Sequence, residues 1–183
     1  MLAPPERKVN DDSLQRVLII GCPGSGKSVL ARRMAAATGL PVVHLDRHYW
    51  GDGWAEPSRE EWQERLAALL SEPRWIMDGN YAKTLELRLR HADTVIVLEV
   101  STWLCLARVV RRAVLSFGRR RGEDMAPGCP ERFDWPFLAY VWRFERDGRA
   151  KITAALQGFP GRVTVLQGKR GVDALLAGIG GSA

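Results

Sequence analysis

A glycine-rich segment near the start of the chain carries the residues best suited to bind phosphate. Residues 21–28 read Gly-Cys-Pro-Gly-Ser-Gly-Lys-Ser and match G-x-x-x-x-G-K-[ST] at every fixed position. An apolar run, 16–20, precedes the segment and a helical pattern, 29–35, follows it, which is the context that the motif requires. The motif predicts that Lys27 reaches the β- and γ-phosphates of a nucleotide and that the Ser28 hydroxyl ligates Mg²⁺. Nucleotide contacts are expected from Gly21, Gly24, Ser25, Gly26, Lys27, Ser28 and Val29.

Two aspartates directly follow predicted strands. Asp46 comes after the apolar run 41–45, and Asp78 comes after 75–77. Parallel sheets bind ligands at the carboxyl ends of their strands, so both side chains are expected to face the phosphate-binding segment. A phosphate-loop enzyme needs an acid to hold Mg²⁺, and a kinase acting on a hydroxyl also needs a base. Asp46 and Asp78 can fill these two roles, with Asp78 and Ser28 predicted at the metal; alternatively, each aspartate caps a turn.

Arginines recur on two predicted helices that flank a loop rich in Gly, Pro and charge, 118–132. On the first helix Arg108 and Arg112 share a face by their i, i+4 spacing, and the second helix carries Arg143 and Arg146. This arrangement predicts a lid over about 113–140 that closes on the site and brings these four arginines to the transferring phosphoryl group. The run 119–121 is interpreted as a solvated basic stretch.

Aromatic residues after Asp46 predict the acceptor side of the site. Tyr49, Trp50 and Trp54 could stack on a base or a sugar face. The remaining tryptophans are predicted to be core residues: Trp62, Trp75, Trp103, Trp135 and Trp142. The histidines have no partner at metal-ligand spacing and are interpreted as packing or surface residues: His44, His48 and His91.

Apolar strands alternate with helices along the chain, which predicts an α/β fold with a parallel sheet covered on both faces. The predicted strands are 17–20, 41–45, 75–77, 94–98 and 163–166. The predicted helices are 29–38, 58–70, 81–90, 103–117, 133–156 and 173–177. Ser58 and Glu61 form a capping box at the start of the second helix. Residues 1–15 are predicted to be a flexible tail and 16–183 a single domain.

Bulk composition agrees with one globular domain. The chain has 183 residues, 46% of them hydrophobic, and a net charge of +6. No apolar run approaches the ~20 residues of a membrane span, so no membrane partner is expected. The cysteines, Cys22, Cys105 and Cys129, are odd in number and lack metal-ligand spacing. Free thiols in a reducing cytoplasm are therefore expected.

The chain resembles the adenylate kinase-related P-loop proteins known as DNA topology modulation proteins. The resemblance covers about 16–176 and rests on five strings, at 21–28, 44–46, 75–81, 88–96 and 125–132. The last string, Met-Ala-Pro-Gly-Cys-Pro-Glu-Arg, is specific to that group. The resemblance implies a three-layer P-loop NTPase fold with a five-stranded sheet in the order 2-3-1-4-5, a short helical lid, and ATP with Mg²⁺ as ligands.

The likeness to true adenylate kinases holds for the donor side and stops at the acceptor side. Arg108 and Arg112 match the Arg-x-x-x-Arg that leads into their lid, and 167–170 matches their loop beside the donor adenine, which implies that Gly168 and Lys169 contact ATP. Those enzymes carry Asp-Gly-Phe-Pro-Arg after the third strand, whereas this chain reads Asp-Gly-Asn-Tyr-Ala at 78–82 and lacks the arginine. In having an aspartate directly after the second strand, the chain resembles instead the kinases of small hydroxyl-bearing metabolites.

The sequence therefore predicts a protein that binds ATP and Mg²⁺ and transfers the γ-phosphoryl group to a small acceptor. The acceptor is a nucleotide or a hydroxyl-bearing metabolite, and the oligomeric state is left open. One alternative is a nucleoside monophosphate kinase. Another is a nucleotide-dependent regulator that binds nucleic acid, although the chain contains no recognition-helix motif to support direct DNA binding.

Overall fold

The sheet that organises the molecule has five parallel strands. The computed structural model describes residues 14–119 and 122–180. The strands are β1 Arg16–Gly21, β2 Val42–His44, β3 Trp75–Asp78, β4 Thr94–Glu99 and β5 Arg162–Gln167. Their order is β2-β3-β1-β4-β5, so the central strand β1 pairs in parallel with β3 and β4. The predicted fold class and strand order are confirmed.

Helices connect the strands and cover both faces of the sheet. They are α1 Lys27–Thr38, α2 Leu45–Tyr49, α3 Arg59–Ser71, α4 Leu85–His91, α5 Thr102–Leu115, α6 Trp135–Arg143, α7 Arg149–Leu156 and α8 Gly168–Gly180. Short 3₁₀ turns occur at Asp52–Trp54 and Ala82–Thr84, and a π-helical turn spans Phe144–Gly148. No helix of the described ranges is long and apolar enough to cross a membrane.

The sheet has a separate hydrophobic core on each face because alternate strand residues point in opposite directions. Leu18 and Ile20 of β1 pack with residues of α3 and α5, including Trp62 and Val109. Val17 and Ile19 pack on the other face with residues of α1 and α8, including Leu30 and Ile179. These two cores produce the three-layer architecture.

Two residues of the predicted tail, Leu14 and Gln15, pack against the domain. Leu14 is 2% exposed and belongs to the core beneath α1 and α8. The carbonyl of Gln15 accepts a hydrogen bond from the Trp75 amide at 2.8 Å, and its own amide donates to Asp93. Residues 14 and 15 are therefore packed against the domain, and the rest of the predicted tail, 1–13, lies outside the described residues.

Several predicted elements differ from the structure. A short helix, α2, directly follows β2, where the sequence analysis predicted no helix. The single helix predicted over 133–156 is divided into α6, the π-helical turn and α7. The segment 167–170, predicted as a loop, contains the end of β5 and the first turn of α8, because Gly168 has a φ of 60° and turns the chain directly from strand to helix. The Ser58 capping box of α3 is confirmed.

The prediction that five tryptophans lie in the core is correct for two of them. Trp62 and Trp75 are 6% and 0% exposed. Trp103, Trp135 and Trp142 are 68%, 73% and 50% exposed, so the prediction is wrong for these. The three exposed rings lie on α5 and α6, whose buried faces use smaller side chains such as Cys105, Val109 and Val141.

Candidate functional site

The phosphate-binding segment forms a tight loop between β1 and α1. Gly24 and Gly26 have φ values of 82° and 103°, a region that favours glycine. A Cβ atom at Gly24 would lie 2.6 Å from the Cys105 carbonyl oxygen, and one at Gly21 would lie 2.6 Å from the Leu98 carbonyl oxygen. The glycines are thus required because the loop passes close to both β4 and α5.

Lys27 folds back over this loop. Its Nζ donates hydrogen bonds to the carbonyl oxygens of Gly21, at 2.9 Å, and Cys22, at 3.1 Å. Burial lowers the pKa of the Lys27 ammonium, while the charges of Asp78 and Asp46 act in the opposite direction. The ammonium is therefore held above the loop with two carboxylates nearby.

Ser28, Asp78 and His44 form a hydrogen-bonded chain at the end of the sheet. The Ser28 hydroxyl donates to Asp78 Oδ2 at 2.7 Å, and His44 Nδ1 lies 2.5 Å from Asp78 Oδ1. Asp78 and His44 are 5% and 8% exposed. The sequence analysis interpreted His44 as a packing or surface residue. It lies opposite Asp78 in the parallel register of β2 and β3, which explains the contact.

The donors around Ser28 fit a hard cation. The described residues contain no group of three or more His, Cys, Asp or Glu side chains placed to hold a metal ion. Ser28 and Asp78 instead offer two adjacent oxygen ligands, and Mg²⁺ is typically bound by one or two protein oxygens together with substrate phosphates and water. Ser28 and Asp78 are the residues that would hold such an ion.

Asp46 lies within α2, the short helix that follows β2. Its Oδ1 atom accepts a hydrogen bond from the Tyr81 hydroxyl at 2.8 Å. Burial raises the pKa of Tyr81, and the Asp46 charge raises it further, so the phenol remains protonated and donates. The Asp46 carboxylate is therefore held in a fixed position on the cavity wall, with no side-chain hydrogen bond capping α2.

A buried arginine that the sequence did not single out for a role supports this region. Arg88 of α4 is 0% exposed, and its guanidinium donates to the carbonyl oxygens of Gly79, Asn80 and Tyr81. Burial lowers its pKa to about 10, so Arg88 stays protonated at neutral pH. Asn80 Oδ1 in turn accepts from the Gly21 amide at 3.2 Å. Arg88 thus fixes the segment after β3, and Asn80 connects that segment to the phosphate-binding loop.

The four arginines predicted at the phosphoryl group are divided between two regions. Arg108 donates hydrogen bonds to the carbonyl oxygens of Gly24 and Ser25, at 3.2 and 3.4 Å. Arg112 forms an ion pair with Glu131 at 3.1 Å. Both arginines line the large cavity beside the phosphate-binding loop.

Arg143 lines a second cavity of about 720 Å³, while Arg146 is 78% exposed and pairs with Asp147 at 2.6 Å. Neither arginine lines the cavity that Arg108 and Arg112 line, because α6 and the following turn bury Val141 and Phe144 instead. Arg119 is exposed, and Arg120 and Arg121 lie outside the described residues.

The connection between α5 and α6 packs on the aromatic residues that follow β2. Met125, Ala126 and Cys129 are buried against Trp50 and Trp54. The Trp54 indole donates to the Pro130 carbonyl at 3.0 Å, and the Gly53 amide donates to the Gly128 carbonyl at 2.8 Å. We name the described residues 122–132 the docked loop, since these contacts fasten them to one wall of the cavity.

Most of the predicted site residues line one large cavity of about 1160 Å³, including Lys27, Ser28, Asp46, Asp78 and Arg108. The phosphate-binding loop and Arg108 form one side, and the residues at the start of α8, Gly168 and Lys169, also line it. The aromatic residues and Asp46 form the other side. Pockets for one ligand usually measure about 300–1,000 Å³, so this cavity has room for two small molecules.

Comparison with known proteins identifies the fold. No protein-family model matches the chain, and no curated protein matches its sequence. A chain from Chloroflexus aurantiacus, named only provisionally as a kinase, superposes with a TM-score of 0.52 at 16% identity, covering 93% of this chain and 99% of that one.

Two shikimate kinases give similar values. The enzyme from Acinetobacter baumannii, solved in complex with shikimate, has a TM-score of 0.55 at 13% identity and covers 89% of each chain. The enzyme from Bacteroides thetaiotaomicron has a TM-score of 0.53 at 13% identity, covering 88% of this chain and 94% of that one. Together with the strand order and the glycine-rich loop, these matches show that the chain has the P-loop kinase fold.

Proposed function

We propose that this protein is an ATP- and Mg²⁺-dependent phosphotransferase that moves the γ-phosphoryl group of ATP to a hydroxyl of a small acceptor. The observation that carries the proposal is the position of two carboxylates around one cavity. Asp78 contacts Ser28 at the phosphate-binding loop, and Asp46 is held by Tyr81 on the acceptor side. The same fold in shikimate kinases is compatible with this activity.

The residues divide the chemistry between them. The loop amides, Lys27 and Arg108 bind the phosphates and stabilise charge on the phosphoryl group. When bound at Ser28 and Asp78, Mg²⁺ neutralises phosphate charge. The acceptor oxygen forms a bond to the γ-phosphorus as the bond from that phosphorus to the β–γ bridging oxygen breaks, and ADP leaves with the electron pair. Asp46 accepts the proton that the acceptor hydroxyl loses.

A hydroxyl-bearing metabolite fits the acceptor side better than a nucleoside monophosphate does. A second phosphate would need cations there, and two of the arginines that line the cavity, Arg112 and Arg132, are already paired with Glu131 and Asp134. The segment after β3 supplies Asn80 and Tyr81 where adenylate kinases have an arginine. An ATP-consumption screen that includes polyols, amino alcohols and the four common nucleoside monophosphates tests this choice. Efficient turnover of a nucleoside monophosphate would overturn it.

The Lys27→Ala variant tests nucleotide binding. Lys27 is expected to donate a charged hydrogen bond to the phosphates, so its loss should weaken ATP·Mg²⁺ binding roughly 10- to 100-fold. Isothermal titration calorimetry measures the affinity directly. Lys83→Ala is the matched control, because Lys83 lines the same cavity away from the loop and its removal also takes one positive charge. Unchanged ATP affinity in Lys27→Ala would contradict the proposal.

Membership of the DNA topology modulation group is part of the same proposal. It is supported by the string 125–132, which lies in the docked loop at the edge of the cavity. On this view any effect on DNA is indirect and follows from phosphotransfer. A duplex DNA complex that persists at ~100 mM salt in a mobility-shift experiment would favour direct binding instead.

A further inference from the structure

The outer surface of α5 and α6 is unusually apolar for a surface exposed to water. Trp103 and Val114 lie eleven residues apart on α5, and Trp135 and Trp142 lie seven apart on α6, so each pair shares one helical face. Phe117 and Phe133 lie where the chain leaves one helix and approaches the other. We call these six residues the α5–α6 apolar face.

The rings of this face are held in place although they are exposed. Trp103 and Trp142 form an edge-to-face pair with centroids 4.5 Å apart, which places the start of α5 beside the end of α6. Phe133 and Trp135 form a second pair at 5.2 Å. Exposed fractions range from 41% for Phe133 to 73% for Trp135. Rigid aromatic side chains of this kind are typical anchors of protein interfaces.

We infer that the α5–α6 apolar face is the interface of a homodimer, in which a second copy of the chain packs the same face across a two-fold axis. An aromatic side chain buries roughly 150–250 Å², so the exposed parts of the five rings amount to on the order of 600 Å². With Val114 and neighbouring groups, the area approaches the ~800 Å² that each partner contributes to a stable interface. It also equals or exceeds the largest apolar patch of most monomers.

The charges beside the face favour a second copy over a polyanion. Arg132 pairs with Asp134 on either side of Phe133, and Arg146 pairs with Asp147 one turn beyond Trp142. Ion pairs of both signs around an apolar centre resemble the rim of a homodimer interface. Arg111 and Arg143 add positive charge nearby, so added salt should strengthen association by screening their repulsion. Binding to nucleic acid or to anionic lipid would weaken with salt instead.

Light scattering after size exclusion tests the dimer with the full chain at about 20–100 μM, the range in which weak dimers form. The expected mass is about 41 kDa, which is twice 20.4 kDa. The double variant Trp103→Ser/Trp142→Ser should raise the dissociation constant at least ~30-fold and give a monomer. Far-UV circular dichroism confirms that the variant is folded, and Trp135→Ser, at the other end of the face, provides a second, independent disruption.

Leu87→Ser is the matched control, because Leu87 is an exposed apolar residue on α4, outside the face, and its loss should leave the dimer intact. The inference is overturned if the wild-type chain is a monomer at 100 μM, or if the folded tryptophan variants remain dimeric. A monomer that binds anionic phospholipid vesicles or single-stranded DNA through this face also overturns it. The test uses no nucleotide, so its outcome is independent of the proposed enzymatic function.

Discussion

At the scale of single residues, Asp46 is the side chain on which the proposed transfer step depends most. The Asp46→Asn variant keeps the size of the side chain and removes its capacity to accept a proton. We expect kcat with the acceptor found in the screen to fall by about 10²–10⁴, the usual contribution of a general base. ATP affinity should change far less than kcat, because Asp46 accepts a hydrogen bond from Tyr81 on the acceptor side, although its charge also acts on Lys27. Steady-state kinetics and calorimetry measure the two effects separately.

Glu56→Gln is the control for this change. Glu56 lines the same cavity and accepts a hydrogen bond from the Tyr49 hydroxyl at 3.1 Å, so the variant removes an equivalent charge from another part of the wall. Its kcat should remain close to that of the wild type. Equal losses in both variants would indicate a general effect of cavity charge, and an active Asp46→Asn variant would remove Asp46 from the role of base.

Residues that act locally could be predicted from sequence, and those that depend on distant contacts could not. The phosphate-binding loop is defined by adjacent residues, and Asp78 by its place after a strand. The contact between His44 and Asp78 depends on the register of two strands that are 30 residues apart in the chain. In the sequence nothing distinguishes Arg88 from other helical arginines, because its three carbonyl partners surround it only in the folded protein. Arg146 is the opposite case. Its position on a predicted helix beside the loop suggested a role at the phosphoryl group, but it lies in the π-helical turn with its side chain exposed at the surface.

At the scale of elements, the docked loop depends on a close approach at Gly128. A Cβ atom there would lie 2.6 Å from Asp52 Cγ and 2.7 Å from Asp52 Cα, and the backbone atom cannot swing away. Gly128→Ala should therefore push the docked loop from the wall and reduce the free energy of unfolding by about 1–3 kcal/mol. Urea unfolding measures the stability, and limited trypsin digestion, mapped by mass spectrometry, should cut within 118–132 faster than in the wild type.

Gly122→Ala is the control within the same loop, because a Cβ atom there meets only the flexible end of Asp124, at 3.3 Å. Its stability and digestion pattern should match those of the wild type. If Gly128→Ala is equally stable and equally resistant to trypsin, then the contact with Asp52 does not hold the loop. The packing of this loop on the cavity wall could not be predicted from sequence. Its composition indicated a mobile connection, and Met125 meets Trp50 and Trp54 only because the fold brings two distant segments of the chain together.

At the scale of the whole molecule, the two cores are coupled through one sheet. Adjacent residues of β1, such as Ile19 and Ile20, belong to opposite cores, so neither core can lose its strand without exposing the other. Val109 of α5 and Val141 of α6 pack in one of these cores and anchor the chain on both sides of the predicted lid, 113–140. We therefore propose that the two described ranges, 14–119 and 122–180, unfold together as a single cooperative unit.

Two probes can test that cooperativity, because the seven tryptophans are unevenly distributed. Trp103, Trp135 and Trp142 report on α5 and α6, whereas far-UV circular dichroism reports on all helices. Urea curves from fluorescence and dichroism, recorded at one fixed protein concentration, should coincide. A control with these three tryptophans replaced by phenylalanine leaves four reporters, Trp62 and Trp75 in the core and Trp50 and Trp54 at the cavity wall, and should unfold at the same midpoint by both probes. A fluorescence transition that precedes the dichroism transition only when the α5 and α6 tryptophans are present would instead identify these helices as an independently opening lid.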